Sequence, residues 1–264
     1  MRSLTVGLAV GAAMAAQAGA QTAGVIDWST LGIGDEGPIP RVGLEGQSGD
    51  VTWSVNWRVD GDTDRFQQAP GLGQDYVSFE GGAQGGFTGF AQFAFDTNSI
   101  QGQNRPPATD RVVFFVQFNE VVTDVAFTLT DVDRSGFHDT VNVFIDRGNG
   151  FENARGAAFP QPTLGANVAQ GNSTYGAGWG GTANTGGAST ASNIGFDFGA
   201  IGVRRVAIAY ASGQSGTQQN PGNQQIGLSD VTFTGPPPPP GADLSLIPPG
   251  PPISSWRLTC PLIA

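Results

Sequence analysis

The sequence predicts an all-β domain, an antiparallel two-sheet β-sandwich of the jelly-roll type. Three observations predict it: eight or so short segments carry β-type patterns, Gly-rich turns separate them, and helical periodicity is missing after the first 20 residues. With 41 glycines and 13% charged residues, the composition is typical of turn-rich β-proteins. An immunoglobulin-like sandwich is the alternative, although such domains contain only about 100 residues.

Residues 1–20 have the pattern of an export signal. Arg2 supplies the positive start, an apolar core follows, and small residues at 18–20 offer a cleavage site. The core is too short to span a membrane, and no later stretch approaches the roughly 18 apolar residues of a membrane helix. We therefore expect a bacterial exported protein, secreted or displayed at the cell surface, with no transmembrane segment in the mature chain.

The expected domain, 21–235, begins with a series of strand signals. In the segment 50–59, DVTWSVNWRV, two tryptophans and three valines alternate with polar residues, which predicts a half-buried strand with both tryptophans in the core. Shorter runs follow at 76–80 and 91–95. The run RVVFFVQF at 111–118 is apolar on both faces and predicts a central strand. An Asn-Glu pair directly after it predicts a turn.

The second half of the domain alternates between strands and loops. Two alternating strands are expected at 125–130 and 140–145, with an acidic loop between them. Residues 165–195 are mostly Gly, Ala, Ser, Thr and Asn, which predicts a long surface loop of the kind that is commonly functional or disordered. The remaining strand signals lie at 194–198, 204–210 and 226–233.

The composition changes abruptly after the expected domain. Residues 236–241 begin with five consecutive prolines and predict a stiff polyproline linker. Residues 242–264 lack strand alternation, so we expect a disordered tail or a truncated or out-of-frame end. They contain the single cysteine, Cys260, which has no second cysteine to pair with. The core or a bound metal must therefore stabilise the exported domain.

The net charge bears on the class of partner. The chain has a formal net charge of -10, and all twelve basic residues are arginine. Because the sequence contains no basic patch to neutralise phosphates, we expect no nucleic-acid partner. The acidic balance instead favours cations as ligands.

The acidic loop is the first candidate metal site. Asp131-x-Asp133-x-Ser135, with a glycine at the sixth position and Asp139 at the ninth, has the order of the first half of an EF-hand loop. The twelfth position is Asn142 instead of the bidentate Glu, and strands flank the loop, so it is not an EF-hand. Two interpretations stay open: a calcium site formed by these four residues, or a turn whose aspartates accept backbone hydrogen bonds.

A second acidic loop follows the first long strand. Its alternating carboxylates, Asp60, Asp62 and Asp64, repel one another unless water or a cation separates them. Calcium is again the candidate, and a solvated turn is the alternative. Asp230 would add a ligand to the first loop if the last strand lies beside it. The single histidine, His138, lacks the second His or Cys that a zinc site requires.

The sequence offers few residues for catalysis or glycan binding. One histidine and no Gly-x-Ser-x-Gly motif argue against a Ser-His-Asp site. A carboxylate pair such as Glu80 with Glu120 would suffice for a glycoside hydrolase if the fold brought the two together. Tyr175 and Trp179, in the long Gly-rich segment, are expected to be exposed and to offer platforms for sugar rings.

Three segments carry a resemblance to known proteins. FTLTDVDRSGFHDTVNVFID at 127–146 and IGLSDVTF at 226–233 resemble β-sandwich modules near the N-terminus of secreted bacterial surface proteins, adhesin-like chains that often continue into repeats and an anchor. In these modules Asp-x-Asp ends one strand and Asp-x-Val begins the next, as Asp131-Val-Asp133 and Asp139-Thr-Val do here. Ala-Asp-Leu-Ser-Leu at 242–246 resembles the opening of a bacterial immunoglobulin-like surface repeat.

The leading hypothesis is a non-catalytic extracellular or cell-surface module that is stabilised by calcium and presents loops for adhesion or glycan contact. Two alternatives remain open at this point. One is a secreted hydrolase that acts on polysaccharide, and the other is a structural spacer within a surface protein.

Overall fold

A computed structural model shows that nearly every described segment of the chain is a strand or a turn between strands. It describes residues 21–31, 36–39, 41, 43–60, 63–64, 77–97, 111–135, 138–171, 178–213 and 224–237. Within these ranges the chain is all-β and contains no α-helix, which confirms the predicted class. One compact unit spans Gln21–Pro236. The expected signal segment, most of the linker and the tail lie outside the described residues.

The structure has more and shorter strands than the eight or so that the sequence predicts, because several consist of only two or three residues. The strands are β1 (Ala23–Ile26), β2 (Glu36–Pro38), β3 (Leu44–Ser48), β4 (Val51–Asp60), β5 (Thr63–Asp64), β6 (Val77–Gln84), β7 (Phe87–Thr97), β8 (Arg111–Thr130), β9 (Asp139–Asp146), β10 (Phe151–Asn153), β11 (Thr163–Leu164), β12 (Val168–Gln170), β13 (Trp179–Gly181), β14 (Ile194–Asp197), β15 (Val203–Ser212), β16 (Gln224–Leu228) and β17 (Val231–Thr234). Two single 3-10 turns accompany them, at Trp28–Thr30 and Thr190–Ser192.

The strand pairings are all antiparallel and join into one large curled sheet around β8. The first half of β8 pairs with β4 on one edge and with β15 on the other. The second half pairs with β14 on one edge and with β16 and β17 on the other. The long strand therefore belongs to two groups of ladders, which we call the first and the second ladder group.

Each ladder group extends outward from β8. In the first group the order is β3, β4, β8, β15 and β9, and the far edge of β9 pairs with β10 and β13, the latter followed by β12. In the second group the order is β11, β14, β8, β16, β7, β6 and β2, with β1 on β17 and β5 on β7.

Alternation explains β4 and the first half of β8. Val51, Trp53, Val55 and Trp57 are buried, as predicted, whereas the residues between them are more exposed. The opposing part of β8 places four apolar side chains in the same core cluster: Val112, Phe114, Val116 and Phe118. Such alternation lets one face of each strand leave water while the other remains solvated.

The turn predicted directly after residue 118 is wrong. Strand β8 continues without interruption through Asn119 and Glu120 to Thr130, because the β-branched residues at 121–123 keep the backbone extended. The exposed polar pair instead lies where the pairing with β4 ends, at Phe118, and where the register with β15 shifts between Val203 and Arg205. A polar pair that looks like a turn marks the point where the strand leaves one ladder group and enters the other.

The expectation of one long surface loop at 165–195 is also wrong in part. The segment contains β12, β13 and the turn Thr190–Ser192, and β13 pairs with β9 next to the acidic loop. Small residues allow this close approach: a Cβ on Gly181 would overlap the carbonyl group of Asp133. Residues 172–177 of this segment lie outside the described ranges.

The strands at 125–130 and 140–145 are confirmed as the end of β8 and the body of β9. No helix in the described ranges is long and apolar enough to cross a membrane.

Candidate functional site

The acidic loop joins β8 to β9. Backbone hydrogen bonds hold it, among them one within the loop and two to the segment 183–192. Asp131 begins the loop in the left-handed region, with φ at 61°, which aspartate tolerates better than most residues. Inside the loop, Asp139 N donates to Asp133 O at 2.9 Å. Toward the segment 183–192, Val132 N donates to Ser192 O and Arg134 N to Ala183 O, each at 3.1 Å. The loop is thus fixed at its first half against a second segment of chain.

Asp139 lies at the start of β9 and is fully buried. Its Oδ1 accepts hydrogen bonds from Tyr210 Oη at 2.6 Å and from Gln224 Nε2 at 3.2 Å, and its Oδ2 accepts one from Asp133 N at 3.3 Å. Burial raises the pKa of Asp139 well above its usual value, and the hydrogen bond from Tyr210 only partly offsets this. The side chain ties β9, β15 and β16 together.

Asp131 and Asp133 have their own protein donors. Gln84 Nε2 donates to Asp131 Oδ2 at 2.7 Å, and Thr185 N donates to Asp133 Oδ2 at 2.9 Å. Burial raises the pKa of each carboxyl, and the charge of Asp133 adds to the rise at both Asp131 and Asp139. The three predicted aspartates therefore lie close enough to influence one another's ionisation.

The interpretation of the first loop as a set of hydrogen-bonding turn aspartates fits this geometry. Among the described residues no group of three or more His, Cys, Asp or Glu side chains is arranged to hold a metal ion. Ser135, the fourth predicted ligand, is exposed. Calcium binding here stays a prediction, because loop residues 136–137 lie outside the described ranges.

His138 is buried with 2% of its surface exposed, directly before Asp139. Burial, followed by the nearby charge of Arg134, lowers its pKa to about 4. The neutral imidazole belongs to the packed end of the loop.

Only part of the second acidic loop lies within the described residues. Asp60 forms ion pairs with Arg58 Nε at 3.0 Å and with Arg111 Nε at 2.7 Å, so its carboxylate already has two cationic partners in the protein. Asp62 lies outside the described residues, and only the backbone of Asp64, in β5, is described. A calcium site at these three positions stays a prediction.

The glycan platform predicted at Trp179 is wrong. This side chain is fully buried in β13 and packs edge-on against Phe196, with ring centroids 5.1 Å apart. Composition predicted exposure because small and polar residues surround Trp179, but pairing of β13 with β9 turns its side chain into the core. Tyr175 lies outside the described residues.

Asp230, the further ligand considered for the first loop, has a hydrogen-bond partner elsewhere in the chain. Its Oδ1 accepts a hydrogen bond from Trp28 N at 3.2 Å, and it sits just before β17. Burial raises the pKa of Asp230.

No family model and no curated protein matches this chain. Function must therefore be argued from the surface that the described residues present.

Two shallow grooves on the second ladder group share Phe87 and Thr128 in their walls. One has a volume of about 310 Å³ and includes Phe196 and Asp230; the other has a volume of about 370 Å³ and includes Leu164. Glycines form much of the second groove, at positions 85, 86, 165 and 195. Small backbone-only surfaces beside an aromatic ring leave room for a flat ligand.

Sequence reasoning missed the grooves, although one signal was present. Phe87 follows the turn at Gly85 and Gly86, both of which have positive φ, and therefore begins β7 at the tip of a hairpin. An aromatic residue directly after a Gly-Gly turn is a candidate for exposure. The other walls come from strands far apart in sequence, and composition does not reveal that they meet.

Proposed function

We propose that the chain is a non-catalytic extracellular module that binds a glycan at the two grooves around Phe87. The observation that carries the proposal is the lining of the grooves: aromatic, threonine and glycine residues, with Asp230 as the single titratable side chain in either wall. Aromatic faces that stack on sugar rings, flanked by small polar groups, are the usual elements of carbohydrate recognition.

The proposed architecture of the module is a two-sheet, jelly-roll-like sandwich. Strand β8 supports this proposal, because its two halves belong to different ladder groups. One core cluster also contains side chains from both groups, for example Phe118 from the first and Phe233 from the second, with ring centroids 4.9 Å apart. Facing sheets with a shared core are the defining feature of a sandwich.

The proposed location and family follow from the sequence. The export pattern at 1–20 supports secretion or cell-surface display, and the resemblance of 127–146 and 226–233 supports a module of an adhesin-like surface protein. In that setting a shallow groove would contact an extended polysaccharide from the side, without enclosing it.

The hydrolase alternative has less support. Glycoside hydrolysis uses two carboxyl groups, about 5–9.5 Å apart, on either side of the scissile bond. Among the described residues that line the two grooves, Asp230 has no second carboxylate to act with it. Asp230 is also engaged by Trp28 N. The spacer alternative predicts no binding at all, and the experiment below separates it.

The test is retention of the secreted domain on an array of neutral polysaccharides, with a reducing-sugar assay on every polysaccharide that retains it. We expect retention without release of reducing sugar, and loss of retention in Phe87→Ala. Val121→Ala is the control, since Val121 is an exposed apolar side chain of β8 that lines neither groove. Release of sugar, retention that survives Phe87→Ala, or no retention on any neutral glycan would each overturn the proposal.

Calcium stabilisation is a separate proposal for the first acidic loop. It is supported by three carboxyl groups, Asp131, Asp133 and Asp139: burial raises the pKa of each, and the charge of Asp133 raises the pKa of the other two further, a repulsion that a cation would relieve. Thermal unfolding in chelator and in millimolar calcium tests it. A native-state ligand at about 100 times its Kd adds about 2.7 kcal/mol. An unchanged midpoint in the parent protein, or a shift that survives Asp131→Ala with Asp133→Ala, would exclude it.

A further inference from the structure

The first ladder group has a second, smaller apolar cluster on the face turned away from the main core. Val113, Ala207 and Ala209 form its buried base, and Phe115 and Phe144 pack over them partly exposed. The alternation of β8 places Val113 and Phe115 opposite the core residues Val112 and Phe114. This outer face is therefore apolar in the middle although it faces away from the core.

Two arginines and two phenylalanines form a continuous row across this face. Arg58 Cζ lies 5.6 Å from the ring centroid of Phe115, and Arg205 Cζ lies 4.8 Å from that of Phe151. The two rings are 6.2 Å apart, which completes the order Arg58, Phe115, Phe151, Arg205. We call these four residues the Arg-Phe row.

Each arginine of the row is held in place by an aspartate. Arg58 contacts Asp60 through Nε at 3.0 Å and through Nη2 at 3.3 Å. Arg205 contacts Asp146 through Nε at 2.6 Å and also through Nη2. In both cases the contacts use one edge of a guanidinium that has five donors, and stacking on a ring fixes its plane. The side chains of Arg58 and Arg205 are still 55% and 40% exposed.

Neutral hydrogen-bonding side chains lie next to the row. Gln117 is exposed and is in register with Arg205 on one side and with Ser54 on the other. Asn56 is in register with Phe115. Amide and hydroxyl groups beside aromatic rings are suited to the hydroxyl groups of a sugar chain.

The charge of the face identifies the ligand class. Among the described residues around the row, Arg58, Arg111 and Arg205 meet Asp60 and Asp146, an excess of one positive charge in a chain whose net charge is -10. Glu45 lies on the same face at its β3 edge, in register with Ser54. A second copy of this chain would bring its own acidic surface and a matching set of arginines against the row. An anion with flat apolar faces complements both the guanidinium groups and the rings.

We infer that the Arg-Phe row binds an acidic polysaccharide, with sugar carboxylates at the guanidinium groups and sugar rings over the phenylalanines. This inference deepens the proposed glycan-binding function. It rests on that function for one point only, that the bound anion is a glycan. The surface differs from the grooves around Phe87, which lie on the second ladder group.

The experiment uses polygalacturonate as the acidic probe and dextran as the neutral one, in affinity electrophoresis of the whole domain at low and at high ionic strength. We expect retardation by polygalacturonate that weakens with salt, because exposed charges are screened. Arg58→Gln should weaken it by roughly tenfold or more, and Asp60 keeps Arg111 as a partner in this variant. Phe151→Ala tests the stacking part of the row independently of charge.

One control variant keeps the outcome specific. Arg204→Gln removes an exposed arginine that is next to the row in sequence, and it should not change retardation by polygalacturonate. The inference is overturned if polygalacturonate does not retard the protein, if Arg204→Gln weakens retardation as much as Arg58→Gln, or if dextran binds equally well at the row. The inference is also overturned if the parent protein dimerises and Phe151→Ala abolishes the dimer, because a second copy of the chain would then occupy the row. Loss of neutral-glycan retention in Phe87→Ala reports only on the proposed function.

Discussion

Replacing Trp179 with alanine should remove one of the largest fully buried side chains of the domain. An aromatic side chain buries about 150–250 Å², which at about 25 cal/mol per Å² corresponds to roughly 4–6 kcal/mol. Measured losses for Trp to Ala in cores are about 3–5 kcal/mol. The edge-on contact with Phe196, at 5.1 Å, lies within that loss. We expect Trp179→Ala to lower the free energy of unfolding by about 3–5 kcal/mol, a large share of the about 5–15 kcal/mol of a typical domain.

Trp179→Phe is the matched variant and should behave very differently. It keeps an aromatic ring in the core and removes the indole N–H, for which the described residues provide no hydrogen-bond partner. A buried donor without a partner costs about 1–3 kcal/mol, so its removal offsets much of the lost volume. We expect a net change of about 1 kcal/mol or less.

Urea unfolding followed by far-ultraviolet circular dichroism measures both variants, since the transition midpoint and slope give the free energy of unfolding. The reasoning fails if Trp179→Ala unfolds at the same urea concentration as the parent protein. It also fails if the two substitutions are equally destabilising, because packing would then not be the cause. If Trp179→Ala lost glycan retention without losing stability, the interpretation of Trp179 as an exposed sugar-binding residue would be favoured instead.

Three further predictions concern the acidic loop. Tyr210→Phe removes the donor to Asp139 Oδ1 and should cost about 1.5–3 kcal/mol in urea unfolding; no change would show that the bond adds nothing. The pKa of Asp139 is raised in the folded state, so the stability that this group contributes is present below its unfolded pKa of about 3.9 and is lost as the pH rises through its folded pKa, by up to about 1.4 kcal/mol per pH unit. Asp139→Asn should flatten that part of a plot of urea midpoint against pH. An unaltered slope would contradict the assignment. Gly181→Ala places a Cβ against the Asp133 carbonyl group, whereas Gly187→Ala meets open space; the first should lower the thermal midpoint and the second should not, so equal midpoints would refute the close approach.

Much of the fold was predictable because strand patterns are local. The alternation in β4 and in the two strands that flank the acidic loop determines which side chains share a face, whatever those faces meet. The loop itself was located correctly for the same reason. Polar pairs were less reliable: Asn119-Glu120 looked like a turn, yet β8 continues through this pair and then pairs with β17 and β14.

The candidate site was predictable only in its position. Asp131, Asp133 and Asp139 are clustered, as their spacing predicts, but their donors come from Gln84, Thr185, Tyr210 and Gln224, far away in sequence. Whether an aspartate faces solvent or a buried tyrosine depends on which strands pair across it. No single-sequence pattern carries that information.

The sequence by itself determined the all-β class, the strand faces, the place of the acidic loop and the acidic charge, because each depends on composition or on neighbours along the chain. Only the tertiary structure decided that Trp179 is buried, that the grooves meet at Phe87, and that Arg58, Phe115, Phe151 and Arg205 form one row. Burial and side-chain contact across a sheet are set by register between distant strands, and register is decided by the packing of the whole domain.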